Sequence, residues 1–403
     1  MTQSTIPGEA VSLEELQAVA GDGTKLRYAL MEMAAKIPDA IALGRGDPDL
    51  DTPEYVIEAA KAAVADGRAD KPTLVAGLPA LREAVARKLR EDNNIPVDAD
   101  GVIITNGGQE AIFLIMQALL DPGDEILVPD PRYTSYDQAI AAAGGVMVTV
   151  PTEPEDDFDL LPSAVEAAIT PKTKALLIVS PNNPTAGVVS ADSLRGIAEV
   201  AQKHDLIVIS DEIYERYIYE PSVQLSIASL PGMFERTITL NGCSKTYAMT
   251  GWRVGFLAAP PEFINVLAGV KSVISGHVSP ASQYAALAAL TGPQDVLAEY
   301  KAIYLRRRQL MMDGLAEMGF TYTAPQGAFF VYTNAASSGL SAFELSYLLL
   351  KEGHVLIFPG TAFGDKWQDW LRISLLQPED EIAEAIRRMK SVLARHGKSG
   401  TGD

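Results

Sequence analysis

Four polar segments follow short apolar runs in this chain, and the most reactive of them carries a lysine. Ser244-Lys245 comes after the run Thr237 to Leu240, and Thr250-Gly251-Trp252-Arg253 follows closely. A lysine that is partly desolvated and has a cationic neighbour has a lowered pKa. Its amine is then a nucleophile toward a carbonyl carbon. The plain alternative is an exposed surface lysine, which is a common residue.

The segment Asn106-Gly107-Gly108-Gln109 lies between a predicted strand and the start of a predicted helix. Two glycines let a ligand approach the backbone closely, and a helix N-terminus presents free N–H groups at the positive end of its dipole. This combination is typical of a phosphate site. A tight strand-to-helix turn without a ligand has the same residues, so the segment alone does not decide between the two.

Two further segments place amide and carboxylate side chains after apolar runs. Ser180-Pro181-Asn182-Asn183-Pro184-Thr185 ends the run ALLIVS; its two prolines make it rigid, and the Asn183 amide can donate a hydrogen bond. Asp211-Glu212-Ile213-Tyr214 follows the run LIVIS, and a carboxylate that ends a buried strand needs a partner. The alternatives are an ordinary proline and asparagine turn and a helix N-cap.

Alternating strands and helices are predicted to position these segments. Continuous apolar runs indicate strands covered on both faces, hence a mostly parallel sheet in a three-layer α/β/α domain. Ligands bind at the carboxyl ends of such strands. The predicted strands are Val102–Thr105, Glu125–Val128, Val146–Val150, Ala175–Ser180, Leu206–Ser210, Thr237–Leu240 and Val254–Ala258, with helices over Gln109–Leu120, Tyr136–Ala143 and Ser190–His204.

The character of the sequence changes at about Asp295, where a smaller α+β domain is predicted. We expect an N-terminal arm over 1–20, a small domain formed by 21–52 and 295–403, and a large domain over 53–294. The predicted helices of the second part are Gln294–Met318, Ala342–Glu352 and Pro378–His396, and its predicted strands are Phe329–Tyr332, Val355–Phe358 and Leu371–Ser374.

Composition excludes several classes of protein. The 403 residues carry a formal net charge of -19, which disfavours nucleic acids and anionic membranes as partners. The single cysteine, Cys243, rules out an internal disulfide and fits a reducing cytoplasm. The four histidines are scattered, so we expect no metal site. Met1 to Ala10 lack the pattern of a signal peptide, and no apolar run is long enough to span a membrane.

Together the motifs resemble those of a known family, the class I aminotransferases of fold type I, which depend on pyridoxal 5'-phosphate (PLP). Its bacterial aspartate and aromatic subgroup is the nearest likeness, and the resemblance runs from Gly46 to Ser374. It implies transfer of an amino group from an L-amino acid to a 2-oxo acid such as 2-oxoglutarate, by a ping-pong mechanism in a cytoplasmic homodimer. The motifs are SPNNPT at 180–185, SDEIY at 210–214, Ser244-Lys245, and TGWR at 250–253.

The resemblance also implies a role for each matching residue. Lys245 resembles the lysine that forms the Schiff base with PLP and moves the proton, Asp211 the partner of the pyridinium nitrogen, and Tyr214 the donor to the ring oxygen O3′. The other implied PLP contacts are Asn183 at O3′, Tyr133 stacked on the ring, and Gly107, Gly108, Gln109, Ser244 and Arg253 around the phosphate. Arg372 is similar to the arginine that holds the substrate α-carboxylate, assisted by Asn183 and Gly46.

Two binding positions depart from the family pattern, and two arginines are candidates to compensate for one of them. Pro72, with Thr73 beside it, stands where relatives have a tyrosine that reaches the phosphate of the neighbouring subunit, so this contact is either lost or made by Thr73. Gln109 stands where aspartate-specific relatives have a lysine for the distal carboxylate. Arg45 and Arg132 lie in segments that border the pocket in relatives, so either is a candidate distal cation or a surface arginine.

Other functions use some of the same residues. A PLP-dependent carbon–sulfur β-lyase remains the alternative, because its chemistry needs the same side chains. A PLP-dependent transcriptional regulator is rejected, since only about 40 residues precede Gly46 and this segment is acidic, whereas such regulators carry an N-terminal DNA-binding domain. A dinucleotide-dependent oxidoreductase is also rejected, because Gly44-Arg45-Gly46 has Asp49 where the third glycine of G-x-G-x-x-G belongs.

Overall fold

The computed structural model describes residues 13–397, so the first part of the predicted N-terminal arm and the segment examined for a signal peptide lie outside the described residues. The strands of the described residues form three sheets, and the largest of these has seven strands. The strands are β1 Ile41–Ala42, β2 Val102–Thr105, β3 Glu125–Asp130, β4 Val146–Pro151, β5 Thr173–Val179, β6 Ile207–Asp211, β7 Thr237–Gly242, β8 Gly255–Ala258, β9 Thr321–Tyr322, β10 Phe330–Asn334, β11 Val355–Leu356, β12 Phe358–Pro359 and β13 Trp370–Ser374.

Helices cover both faces of the seven-stranded sheet, as the predicted three-layer α/β fold requires. Leu176 and Ile178 of β5 pack with the helices at 162–167 and 191–203, whereas Leu177 and Val179 pack with those at 108–119, 135–142 and 261–274 on the other face. The helices are α1 Leu13–Val19, α2 Gly23–Ala34, α3 Glu54–Ala65, α4 Pro79–Asn93, α5 Gly108–Leu119, α6 Ser135–Ala142, α7 Pro162–Ala167, α8 Ala191–Lys203, α9 Cys243–Thr246, α10 Pro261–Ile274, α11 Pro280–Thr291, α12 Asp295–Glu317, α13 Ala342–Gly353 and α14 Glu379–His396.

The strand order in the large sheet is β2-β8-β7-β6-β5-β3-β4. All neighbours are parallel except β8, which runs antiparallel to both β2 and β7. The prediction of a mostly parallel sheet is confirmed, and all seven predicted strands are present with ends that differ by at most two residues. The carboxyl ends of β5, β6 and β7 therefore lie side by side.

A four-stranded antiparallel sheet of order β12-β13-β10-β9 forms the centre of the C-terminal part. Helices α12, α13 and α14 pack on it around a hydrophobic cluster that includes Phe330, Leu345 and Ile373. The same cluster takes in Tyr214 and Tyr217 from the segment after β6. The two sheets are therefore joined by a continuous hydrophobic contact.

The predicted single strand Val355–Phe358 is wrong and is replaced by two short strands. Residues Val355–Leu356 pair in parallel with Ile41–Ala42, whereas Phe358–Pro359 pair antiparallel with β13. The chain changes sheet at Ile357, whose side chain is fully buried. A continuous apolar run cannot reveal such a change, because both short strands are buried. The change places Phe358 opposite Arg372 in the register.

No helix within residues 13–397 is long and apolar enough to cross a membrane.

Candidate active site

A cavity of about 410 Å³ opens at the carboxyl ends of β5, β6 and β7, bounded also by α2 and β13. It brings together residues that are far apart in the sequence. The sequence-predicted residues that line it are Gly46, Gly108, Gln109, Tyr133, Asn183, Asp211, Tyr214, Ser244, Lys245, Arg253 and Arg372. Gly107 lies just behind the lining, as the N-cap of α5.

Lys245 lies on the short helix α9, directly after β7. Its Nζ donates a hydrogen bond to the backbone oxygen of Gly46 at 2.7 Å. Part of its surface is open to the cavity, but burial on the other sides is the main cause that lowers the pKa of Lys245 to about 8. Asp47 and Asp211 oppose this lowering, whereas Arg253 and Arg372 contribute to it. An amine with this pKa has an appreciable unprotonated fraction near neutral pH, which both a nucleophile and a proton acceptor require.

Asp211 ends β6 and is almost fully buried. One carboxylate oxygen accepts a hydrogen bond from the Tyr136 hydroxyl at 2.7 Å, and the other accepts from the backbone N–H of Ile213 at 3.1 Å. Burial raises the pKa of Asp211 to about 6, and the Tyr136 hydrogen bond limits that rise. The carboxylate is therefore ionised at neutral pH in a site that favours a cationic partner.

Arg372 lies on β13 with 2% of its surface exposed. Its Nη1 donates to Asn183 Oδ1 at 3.0 Å, and its Nη2 donates to the backbone oxygen of Gly44. No carboxylate pairs with it among residues 13–397, and three aromatic rings, Phe330, Phe358 and Phe363, surround its guanidinium within 5.1 Å. A buried cation without a carboxylate is costly, and the cavity is where an anionic ligand would relieve that cost.

The start of α5, where Arg253 lies against Gly107, would provide a seat for an anion. Gly107 has φ of 79°, and a Cβ at this position would lie 2.4 Å from Arg253 Nη2, so only glycine lets the arginine approach this closely. Arg253 donates to the backbone oxygens of Thr250 and Asn106, at 3.1 and 3.2 Å, which are neutral groups. The turn is held from behind by Glu110, which accepts from Asn106 and from the buried Lys271.

The residues therefore fit a phosphorylated pyridine cofactor of the kind that the resemblance implies. The anion seat at Arg253, the ionised carboxylate of Asp211 and the amine of Lys245 border one cavity. Tyr214 and Asn183 add polar groups between them, and burial raises the pKa of Tyr214. Tyr133 lies edge-on to Tyr136 at 5.9 Å between ring centroids.

The structure shows where Arg132, Arg45 and Thr73, the residues discussed with the departures from the family pattern, lie relative to the cavity. Arg132 is not part of the lining, because Asp130 and Asp137 hold its guanidinium at 2.9 and 2.7 Å. Arg45 lies at the rim, where Asp47 pairs with it at 2.8 Å and more than half of its side chain is exposed. Thr73 is outside the cavity of its own chain and accepts a hydrogen bond from Gln283 at 3.0 Å.

Sequence reasoning missed two contributions to the cavity. Tyr136 was expected only to begin a helix, yet its hydroxyl binds Asp211. Helix α2 was not predicted, although Asp22 caps its first turn and accepts from Thr24 and Lys25. Its residues Thr24, Arg27, Tyr28 and Met31 line the cavity. Their i, i+3, i+4, i+7 spacing is a helical face and was the available signal.

The sequence matches a family model described as "Aminotransferase class I and II" over residues 38–389. The aspartate aminotransferase of Pyrococcus abyssi is 43% identical over 369 residues, which cover 90% of this chain and 94% of that protein. The aromatic-amino-acid aminotransferase 2 of Thermococcus litoralis is 42% identical with the same coverage.

A solved structure shows the same fold. The aspartate aminotransferase from Thermus thermophilus with maleate has a TM-score of 0.86 and 37% sequence identity, covering 95% of this chain and 97% of that one.

Proposed function

The chain belongs to the class I and II aminotransferases, which use pyridoxal phosphate, and we propose that it moves the amino group of an aspartate-like or aromatic L-amino acid to a 2-oxo acid such as 2-oxoglutarate. Amino acids are proposed as substrates because Lys245 and Arg372 line the same cavity. An amine with a lowered pKa lies there beside a buried guanidinium with no carboxylate partner within residues 13–397. An α-amino acid offers the complementary carboxylate.

The cofactor would be held by groups on four loops. Arg253 and Ser244, with the backbone of Gly107, Gly108 and Gln109, would bind its phosphate. Asp211 would pair with its ring nitrogen, Tyr214 and Asn183 would donate to its ring oxygen, and Tyr133 would cover its face. Bound pyridoxal phosphate supplies an aldehyde that takes up the amino group and a ring that withdraws electrons from the substrate Cα. Asp211 supports that withdrawal by keeping the ring nitrogen protonated.

Lys245 would carry the proton during transfer. Its Nζ donates to the Gly46 backbone oxygen, and no carboxylate among the described residues lies within hydrogen-bond distance of it. A lowered pKa would let this amine take up a proton from the substrate Cα and give it back later in the transfer.

Arg372 would orient the substrate through its α-carboxylate. The guanidinium is held on two sides by Asn183 and Gly44 and is surrounded by aromatic rings, so its planar fork has one fixed orientation. Two parallel hydrogen bonds to a carboxylate then fix the Cα position relative to Lys245. The backbone of Gly46 would complete this subsite.

One site would serve both substrates in turn, which is a ping-pong mechanism. The named relatives are aminotransferases, which favours transfer over the β-lyase alternative. The test is to mix the loaded enzyme with single amino acids and follow the cofactor absorbance. Stoichiometric conversion to the amino form of the cofactor, reversed by 2-oxoglutarate, is expected. Release of pyruvate and ammonia from cystathionine, without such conversion, would support the lyase instead.

We also propose that the chain works as a homodimer. Apolar residues with at least half of their surface exposed occur on α10 and in the loop before α4, namely Val266, Val273, Ile274 and Leu74. A second copy would cover this surface and bring Thr73 toward the neighbouring phosphate site. Sedimentation velocity should give twice the mass of the chain; a monomer that retains full activity would refute the dimer.

The predicted domain division and cellular location stay proposals. A small domain from 21–52 and 295–403 and a large domain from 53–294 agree with the separate sheets around which these parts pack. A cytoplasmic location is supported by Cys243, a buried free thiol.

A further inference from the structure

Arg27 is a cation at the cavity that the proposed mechanism does not use. It lies on α2, one turn after Gly23, and lines the cavity with Thr24 and Met31. Its side chain is partly buried. A charged side chain on the wall of a ligand cavity has either a protein partner or a ligand partner, because a partly desolvated charge is otherwise costly.

The hydrogen bonds of Arg27 go only to neutral groups. Nη2 donates to Thr134 Oγ1 at 2.9 Å and to Thr24 Oγ1 at 3.3 Å, and Nε donates to the Gly23 backbone oxygen at 3.3 Å. Within residues 13–397 no carboxylate lies within 4 Å of its guanidinium, and Nη1 has no hydrogen-bond partner. The charge is therefore positioned by hydroxyl and carbonyl groups and left uncompensated.

Arg27 and Arg372 both lie against one aromatic ring. The Arg27 Cζ is 5.6 Å from the Phe363 ring centroid, and the Arg372 Cζ is 4.8 Å from the same centroid. Tyr133 contacts Arg27 from another side, with 5.0 Å from Cζ to its ring centroid. The charge of Arg27 adds to burial in lowering the pKa of Arg372, so the two cations interact. Two neighbouring cations at one cavity match a ligand with two carboxylates.

The other candidate cations are occupied or already assigned. Arg132 is held by Asp130 and Asp137, and Arg45 is held by Asp47 at the exposed rim. Gln109, at the position of the lysine in aspartate-specific relatives, carries no charge. Among the arginines of the cavity this leaves Arg27 as the cation without an assigned anion.

We propose that Arg27 binds the side-chain carboxylate of dicarboxylic substrates while Arg372 binds the α-carboxylate. This inference rests on the proposed aminotransferase function and adds its specificity-determining residue. Thr24 and Thr134 hold the guanidinium toward the cavity, and Tyr133 and Phe363 flank it. When an aromatic substrate binds instead, its side chain would lie against Tyr133 and Met31, with Arg27 kept on its threonine partners.

The test is binding of two probes to the loaded enzyme, measured by calorimetry. Maleate has two carboxylates and 3-phenylpropionate has one. We expect Arg27→Gln to weaken maleate binding by about tenfold or more, since a charge-assisted contact is removed. Binding of 3-phenylpropionate should change by less than about twofold. Arg27→Lys should restore part of the maleate affinity, and Arg45→Gln serves as the matched arginine control.

The outcomes separate this inference from the proposed function. Equal weakening of both probes by Arg27→Gln would show a structural role and overturn the proposal. Loss of maleate binding in Arg45→Gln, with none in Arg27→Gln, would assign the subsite to Arg45 and overturn it as well. Conversion of the cofactor by an aromatic amino acid in Arg27→Gln tests the function alone. If none of the amino acids tested converts the cofactor of the wild-type enzyme, the proposed function fails.

Discussion

Arg372 Nη1 donates a hydrogen bond to Asn183 Oδ1 at 3.0 Å, and this contact joins β13 of the four-stranded sheet to the loop after β5 of the seven-stranded sheet. The two residues are 189 positions apart. The substrate subsite is thus built from both parts of the molecule, and any relative movement of the two sheets would change the orientation of the guanidinium.

Replacing Arg372 by lysine should damage substrate binding more than the chemical step. A lysine keeps the charge but cannot make the two parallel hydrogen bonds of the guanidinium fork. We expect the KM for the amino acid to rise by about tenfold to a hundredfold, with a smaller fall in kcat. Steady-state kinetics checks this, with Arg306→Lys on the exposed face of α12 as the control. An unchanged KM would remove Arg372 from the substrate subsite.

Substituting Gly107 should weaken cofactor binding through Arg253. A Cβ at Gly107 would lie 2.4 Å from Arg253 Nη2 and push the guanidinium away from the phosphate seat. Gly123→Ala is the matched control, because its φ of 92° carries similar backbone strain but no atom lies within 4 Å of the added Cβ. Both variants place an alanine at a positive φ, which should cost on the order of 1–3 kcal/mol of stability. Only Gly107→Ala should raise the Kd for pyridoxal phosphate in a fluorescence titration; equal affinities would contradict the assigned seat.

Asp211 should reduce the stability of the cofactor-free chain at neutral pH. Its pKa of about 6 in the folded chain lies above the ordinary value of 3.8, so folding favours the protonated form. The resulting cost is absent below about pH 4 and complete above about pH 6, on the order of 3 kcal/mol. Thermal unfolding should show the Tm of Asp211→Asn rising relative to wild type between pH 4.5 and 7.5, while transaminase activity falls. A Tm difference that is constant with pH would show that burial does not raise the pKa of Asp211.

Lys245 should react with small amine reagents at lower pH than surface lysines. Its pKa is lowered to about 8, whereas hydrogen bonding to Glu58 raises the pKa of Lys61. In the cofactor-free chain, peptide mass spectrometry should therefore find half-maximal labelling of Lys245 near pH 8 and labelling of Lys61 only at higher pH. If both lysines label with the same pH profile, burial and the neighbouring arginines do not activate Lys245.

Local signals sufficed for the large sheet and for most of the cavity. Strands such as Thr173–Val179 contain a continuous apolar run, here starting at Ala175, so their positions were predictable to within two residues. Lys245, Asp211 and Asn183 stand directly after such runs, and the rule that ligands bind at strand carboxyl ends predicted that they converge.

Long-range contacts could not be obtained in the same way. Tyr133 and Tyr136 are both tyrosines and lie close together in the sequence, so the sequence does not indicate which of them donates a hydrogen bond to Asp211. Arg27 lies at the cavity because α2 packs beside Phe363, which is 336 positions away in the sequence. Val355–Phe358 was predicted as one strand because hydrophobicity does not record which sheet each half joins.

The central claim is that Lys245 carries the cofactor, and reductive trapping tests it most directly. Borohydride treatment of the loaded enzyme should fix the cofactor to its lysine, and peptide mass spectrometry should find the added mass on Lys245. Lys245→Ala should show neither the trapped mass nor transaminase turnover, while the matched change of the exposed Lys61 should leave both intact. Trapping on a different lysine, or full transaminase activity in Lys245→Ala, would contradict the account.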